Sequence, residues 1–461
     1  MADVNSLFFS QDPDKQTLHR RIVPNQKQQE LQQERWNDLR DYLVANLNEV
    51  SKYEISSWLQ GSYKFGTQVR PIGKGGEFDI DLGIYFKWLG NPNDGNFSPR
   101  ELKALVQESL LRYKTEAEDV IEVMNPPKER CSRIRFPGNF HIDVPSYHLN
   151  EKLDRRALAT EKDIWEYSDP KAFYVWFKDN FSEDESSQVR RLIRYFKIWS
   201  ALKLKEPPSS ILLTVLVAET YLNLTEDETD RDDIAIQYVS KKIAERLEAN
   251  IEIPNPVDAT ENLNRLSNEE ASALVKKFCE LADLAEKAVN APTELTTASL
   301  WAEAFQHFFP VPVQDPANPN GRALIPVRFI PEIHVEAIAK NNLNRTYNGE
   351  NRIGPIPKNC QIKFTLKNTN ALPQGARVRW IVRNEGEEAE YTNDLGHLAG
   401  TDLRHAEESS AYKGVHYMDI VITSVLGEVI GFRRIPVDIS GIFMPPRNGK
   451  KPGYTRFRRR R

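Results

Sequence analysis

Between residues 27 and 50, apolar side chains return at every third or fourth position: Leu31, Trp36, Leu39, Leu43, Leu47 and Val50. That period predicts an amphipathic helix. Past a Gly/Ser segment that follows Trp58 and a loop rich in Gly and Pro, the pattern becomes strict alternation at Phe78, Ile80, Leu82, Ile84 and Phe86. Alternation predicts a half-buried strand. Ser98, Pro99 and Glu101 form the signature of a capping box and open a predicted helix over 98–115. Short strands are expected around Asp119–Met124, Ser132–Phe136 and Asn139–Val144. Helix, strands, helix, strands make residues 1–150 an α+β unit.

From about 155 to 340 the helical period dominates. Val189, Leu192, Ile193, Phe196 and Trp199 mark the buried side of a helix over Ser187–Leu204. A second helix follows Pro207-Pro208 and is apolar on nearly every face from Ile211, which predicts full burial. A third opens on the capping pair Ser267 and Glu270. Residues 151–340 are therefore expected to form a helical lobe. The polar stretch NNLNRTYNGENRIGPIPKN predicts a linker over 341–358. Alternating segments at Ile362-Phe364-Leu366, Val378-Trp380-Val382, Tyr417–Ile422 and Val429–Ile439 then predict a β-sandwich over 359–440. A Pro/Gly/Arg tail over 441–461 is expected to be disordered.

Composition narrows the class. With 461 residues, 40% apolar and 28% charged, the chain reads as a globular protein of two to three domains. Its longest apolar run, Ile211 to Ala218, is far below the ~20 residues of a membrane span. The first residues lack the pattern of a signal peptide, and the expected compartment is the cytoplasm. Cys131, Cys279 and Cys360 form no CxxC pair, which excludes a disulfide framework or a cysteine zinc site. A net charge of −4 argues against a stable nucleic-acid partner. Charge is uneven, however. Residues 447–461 carry eight Lys/Arg and no acid, and Glu226 to Asp233 holds six acids in eight positions, read as a solvated loop.

The candidate chemistry centres on Asp79-Ile80-Asp81. Residues i and i+2 of a strand share a face, so the two carboxylates point together while Phe78, Ile80 and Leu82 face the core. Like charges so placed call for a hard cation with oxygen ligands, above all Mg²⁺. Asp143 in Phe140-His141-Ile142-Asp143-Val144 supplies a third strand carboxylate, and three such groups suit a two-metal phosphoryl-transfer site. His141 shares its face and is read as a pocket-wall group. Upstream, Gly61 permits close backbone approach, and Ser62 with neighbouring N–H groups can hold phosphate oxygens. Arg190, Arg194 and Lys197 form a basic ridge at helical spacing that can neutralise a triphosphate or simply face solvent. Ser209 and Ser210 stand at a helix N-terminus, as anion ligands or as caps. Arg133 and Arg135 share one face of a strand and either reach a base or phosphate or form ion pairs.

The Gly-Ser turn, the Asp-hydrophobic-Asp strand and the later lone Asp resemble the polymerase-β-like nucleotidyltransferase superfamily. Val189 to Trp199, followed by Pro207-Pro208-Ser209-Ser210, is similar to its oligoadenylate synthase and cyclic GMP-AMP synthase branch, and best to the bacterial DncV-like second-messenger synthases of anti-phage defence (CD-NTases). The C-terminal part resembles the adenylyl/guanylyl and SMODS C-terminal sensor-type domain. The resemblance implies a polymerase-β-like core with an oligoadenylate-synthase-like helical lobe plus the β-sandwich. It implies an enzyme that joins NTPs, ATP or GTP among them, into a cyclic di- or oligonucleotide, releasing pyrophosphate. Asp79, Asp81 and Asp143 would bind two Mg²⁺ ions, with Mn²⁺ able to substitute. Gln60, Gly61, Ser62, Phe65, Lys197, Ser209, Ser210 and Asp258 would line the nucleotide pocket, Phe65 by touching a base. A downstream effector would read the product, and the C-terminal domain would take an activating ligand. Two alternatives stay open from the residues alone: a linear 2′-5′ oligonucleotide synthase or RNA-tailing transferase, and a nucleotide-binding sensor without turnover.

Overall fold

The computed structural model describes residues 4–312, 328–340 and 345–440. The chain divides into two compact units, Met1–Pro312 and Val313–Arg461. In the first, eight strands make one sheet: β1 Glu54–Gln60, β2 Phe78–Lys87, β3 Glu122–Val123, β4 Ser132–Phe136, β5 Phe140–Val144, β6 Ser146–Asn150, β7 Arg155–Ala159 and β8 Trp165–Tyr167. Their order is β3-β4-β5-β2-β6-β7-β8, with β1 also paired to β2. The first half of β2 runs parallel to β5 and its second half parallel to β6, while β1 lies antiparallel to it.

One face of this sheet is covered by two helices. Gln26–Ser51 starts on the Asn25/Gln28 capping box, and Pro99–Glu116 on Ser98/Glu101. Leu39, Leu43 and Leu47 of the former and Leu102, Val106 and Leu110 of the latter pack with Phe78, Ile80 and Leu82. Burying a side chain of this size stabilises by roughly 1.5–3 kcal/mol. The even positions of β2 are thus committed to the core, which turns Asp79 and Asp81 to the other face.

The sheet runs past the expected boundary at 150. Strands β7 and β8, Arg155–Ala159 and Trp165–Tyr167, continue it where the helical lobe was expected to start. β6 is buried at all five positions, so no alternation advertises it. The lobe proper follows with Glu183–Lys203, Ser210–Tyr221, Asp232–Ala249, Asn268–Val289 and Glu294–Phe305. Ser210–Tyr221 is buried on nearly every face, as its composition predicts. Phe8, fully buried, makes edge contacts with Tyr195, Trp301, Phe305 and Phe309. The acidic run is not merely a solvated loop. Asp232 is buried, and its carboxylate takes Arg191 Nε at 2.8 Å and Tyr195 Oη at 3.0 Å, which fastens the lobe internally.

The second unit is a two-sheet sandwich. One sheet has the order Thr346–Glu350, Ile333–Ala339, Cys360–Leu366, His405–Ser409; the other Ile353–Ile356, Val429–Ile439, Gly414–Thr423, Arg377–Arg383, Gly396–Thr401. Val335, Phe364, Trp380, Ile420 and Ile435 belong to the core cluster they share. The expected linker over 341–358 is corrected: two of its segments are strands of this sandwich, and Ile333–Ala339, placed in the helical lobe by the sequence pattern, is a third. On the five-stranded sheet, buried Asp419 is gripped by Arg383 and Arg434 at 2.6–2.8 Å. The basic tail lies outside the described residues. Among the described residues no helix is long and apolar enough to cross a membrane.

Candidate active site

The register of β2 against β5 sets Asp79 opposite His141 and Asp81 opposite Asp143. β4 adds Arg133 opposite Asp143 and Arg135 opposite His141. Asp79, His141 and Asp143 each offer a ligand atom within 4.8 Å of the others. His141 stands between two carboxylates, with Nδ1 2.8 Å from Glu77 Oε2 and Nε2 2.9 Å from Asp79 Oδ1. The tight group therefore contains His141, whereas the expected one was Asp79, Asp81 and Asp143. Asp81 lies against the turn. Gly61, at φ +58°, lies so close to Asp81 that a Cβ there would stand 1.9 Å from its Oδ2.

Charge on this face is strongly uneven. Burial, then the Asp79 and Asp143 charges, push the Asp81 carboxyl up to about 8. Burial also works against an ionised Asp143, but the hydrogen bonds and charge of Arg133, with Lys128 behind them, outweigh it and hold that carboxyl below its ordinary value. Arg133 grips Asp143 with both nitrogens, Nε–Oδ1 at 2.6 Å and Nη2–Oδ2 at 2.8 Å, and Lys128 Nζ lies 3.2 Å from Oδ2. Arg133 is thus an ion-pair partner of Asp143, and Arg135 pairs with Glu77 and Glu122. An acid kept neutral beside an ionised one is short of positive charge. That donor set, all oxygen apart from His141, fits hard divalent cations.

Directly after β1, Gly61–Phe65 makes a short helical turn that Gly66 closes in the left-handed region. Gln60, Gly61, Ser62, Asp81, Lys197 and Ser210 line one cavity of about 300 Å³. Gln60 is held in place by Tyr85, to which it donates at 2.7 Å, and by Tyr147, which donates to it at 3.2 Å. Gly83 makes room for that amide. Lys197 is buried rather than solvated. Its Nζ reaches Thr67 O and Oγ1, both at 3.2 Å, and burial, then Arg194, pull its ammonium down to about 7.

Phe65 lines the cavity, its ring also packed among Phe173, Tyr174 and Phe177. Three expectations are corrected. Ser209 caps Ser210–Tyr221 by accepting from Leu212 N and does not line the cavity. Asp258 turns onto Thr260, accepting from its N and Oγ1. The basic ridge is used internally: Arg190 Nε donates to Phe65 O, and Arg194 meets His19, leaving Lys197 alone to face the cavity. The sequence pattern missed the exposed Tyr167 on β8 and the Arg130–Glu166 ion pair at 2.7 Å, all on the cavity wall. Strand β8 carries no periodic signal that could have flagged them.

Residues 56–147 match the family model described as cyclic GMP-AMP synthase DncV-like, nucleotidyltransferase domain. Over those residues the chain is similar to the DncV-like nucleotidyltransferases. Residues 318–440 match the adenylyl/guanylyl and SMODS C-terminal sensor domain, so that enzyme core is followed by a sensor-type sandwich. A cyclic GMP-AMP synthase of Escherichia albertii is 29% identical over 444 residues, covering 94% of this nucleotidyltransferase and 95% of that protein. A c-di-GMP synthase of Roseivirga ehrenbergii is 28% identical over 241 residues, covering 46% of this chain and 60% of that protein. The fold is shared with Escherichia coli DncV in its 3′-deoxy GTP bound form, at TM-score 0.56 and 19% identity over 66% of this chain and 96% of that one. Vibrio cholerae DncV in complex with the linear intermediate 5′ pppA(3′,5′)pG gives TM-score 0.55 and 18% identity over 67% and 98%. The chain is a nucleotidyltransferase of the cyclic-oligonucleotide synthase kind.

Proposed function

We propose that this enzyme uses Mg²⁺ to join NTPs, ATP or GTP among them, into a cyclic di- or oligonucleotide that serves as a second messenger in anti-phage defence. One observation carries the reading: Asp81, paired in register with Asp143, shares a single cavity with the Gly61–Ser62 turn and Lys197. Asp79, Asp81 and Asp143 would hold the cations, with Mn²⁺ able to replace Mg²⁺. The chemistry such ions supply is neutralisation of the charge that builds on the transferred phosphoryl group and the departing pyrophosphate.

This chain's own residues do the positioning. Ser62 and the amides of its turn take the phosphate oxygens of the donor NTP, and Lys197, already in the cavity wall, adds a charge-assisted contact. Ser210 lies along the same wall, and the exposed ring of Tyr167 offers a face for a base. Asp143 accepts the proton of the incoming ribose hydroxyl, whose oxygen attacks the α-phosphorus. The bond from that phosphorus to the bridging oxygen breaks, and pyrophosphate leaves with the electron pair. A second such step on the linear product closes the ring. The C-terminal sandwich takes a regulatory ligand, and the effector that reads the product is a separate protein.

Incubation with all four α-labelled NTPs and Mg²⁺, then phosphatase treatment and mass spectrometry, tests this. A cyclic product has no terminal phosphate and keeps its label. A phosphatase-sensitive ladder would establish linear synthesis instead, and absence of pyrophosphate release would leave only nucleotide sensing.

A further inference from the structure

Asp143 is more fully engaged than a carboxylate waiting for a metal should be. Two oxygens offer about four acceptor positions. Arg133 Nε and Nη2 take two of them at 2.6 and 2.8 Å, and Lys128 Nζ takes a third at 3.2 Å. Nothing comparable holds the other two acids. Asp79 is half exposed, with His141 beside one oxygen, and Asp81 leans on the Gly61 turn.

We infer that Arg133 and Lys128 are resident counter-cations of the carboxylate face, which occupy Asp143 until a metal–nucleotide complex displaces them. The inference rests on the proposed metal-dependent reaction. Its basis is competition for one carboxylate. A divalent ion that binds Asp143 must break a bidentate guanidinium pair, the strongest hydrogen-bonded arrangement open to a carboxylate. It also enters a face that already carries two fixed positive charges. A bare ion gains little by that exchange. A metal–NTP complex gains more, because the triphosphate supplies the anionic oxygens that the released Arg133 and Lys128 require.

Sequence position supports the assignment. Arg133 lies directly across from Asp143 in the β4–β5 register, so the pair is held by the sheet and not by a flexible loop. Lys128 precedes β4, and its side chain is 36% exposed against 15% for Arg133, which makes it the easier of the two to release. Both are positioning residues. They set when the site accepts its cation, and they act through Asp143.

The test is Mn²⁺ binding by the full chain, read from the free-ion electron paramagnetic resonance signal, with and without a non-hydrolysable NTP. The unaltered protein should bind bare Mn²⁺ weakly and the Mn²⁺–NTP complex at least tenfold more tightly. Arg133→Met should tighten bare Mn²⁺ binding tenfold or more and shrink the nucleotide effect, while Arg133→Lys should return it part of the way. Lys128→Met, at a position more exposed than Arg133, should shift affinity the same way by a smaller factor and covers the case in which Arg133→Met fails to fold. Loss of a merely structural residue would not tighten metal binding. Unchanged or weaker Mn²⁺ affinity in both Met variants overturns the inference while leaving the enzyme reading intact. Failure of the unaltered protein to bind Mn²⁺ even with nucleotide would instead overturn the metal site itself.

Discussion

Two aspartates of this chain sit in nearly the same chemical company and are put to opposite uses. Asp419, in the sandwich, is fully buried and gripped by Arg383 and Arg434 at 2.6–2.8 Å. Burial works against its charge, yet the two guanidinium groups outweigh that and hold its carboxyl below the usual range. Asp143 also has a bidentate arginine and a second cation, but its side chain keeps 11% exposure and it has two further acids for neighbours. The first cluster is closed: one anion lies between two cations, and neither Asp419 nor Arg383 is open to solvent. The second is open, because Asp81 is left without charge compensation of its own. The arginine–aspartate pair is common to both. What separates a structural from a reactive carboxylate here is the surplus of acid around it and its access to a ligand.

The comparison breaks most visibly at β2. The double substitution Asp79→Asn, Asp81→Asn should reduce product formation to background while the melting temperature holds or rises, since it removes repulsion and touches no core side chain. Near-normal turnover in that protein would place the chemistry elsewhere. In the sandwich the reverse should hold. Asp419→Ala strands the buried guanidinium of Arg383 and the partly buried one of Arg434 and should cost about 3–5 kcal/mol in a denaturant titration. Metal-dependent NTP binding should survive it.

Lys197→Met comes next. Loss of one charge-assisted contact, about 1.5–3 kcal/mol, should weaken NTP binding roughly tenfold to a hundredfold while leaving some chemistry. Unchanged binding would show that Thr67 is the only partner Lys197 has. A pH series in EDTA then sharpens the contrast between open and closed acids. Asp81 is raised in the fold from its ordinary 3.8 to about 8. Its stabilising contribution is complete below the unfolded value and is lost as pH rises toward 8, because the unfolded chain ionises there first. The unaltered protein should therefore lose stability relative to Asp81→Asn between pH 5 and 8. Parallel curves would mean that the proton is not on Asp81. The smallest effect is expected at the helix cap: Ser209→Ala should cost about 1 kcal/mol with no change in NTP affinity, whereas Ser210→Ala should raise KM.

Much of this contrast is written locally, and part of it is not. The Asp79/Asp81 pair is legible because one face of β2 is committed to the core, which leaves the alternating carboxylates a single direction. Gly61-Ser62 is legible because only glycine tolerates that backbone so near a carboxylate. The Asp143–Arg133 pair depends on register between strands, and a single chain of letters does not state which strands pair. Strand β6 was hidden by burial on both faces, which erases the period. Thr346–Glu350, the polar edge strand taken for linker, has the sequence TYNGE and no apolar alternation at all. Ser209 and Asp258 fit a ligand role in type and place, but a backbone or side-chain partner two to three residues away claims each of them first.

Phe8 bears on how the molecule comes into being. A ring from the start of the chain is enclosed by Tyr195, Trp301, Phe305 and Phe309. On the ribosome, Phe8 emerges long before any of the four rings that enclose it has been made. The helical lobe can seal only when the far end of the unit arrives, so contacts of wide sequence separation come last in its assembly. A nascent or truncated polypeptide that stops just short of Trp301 carries Asp79, Asp81 and Asp143 but lacks three of the four rings that enclose Phe8. Chains cut short in synthesis are thereby left with an unsealed lobe.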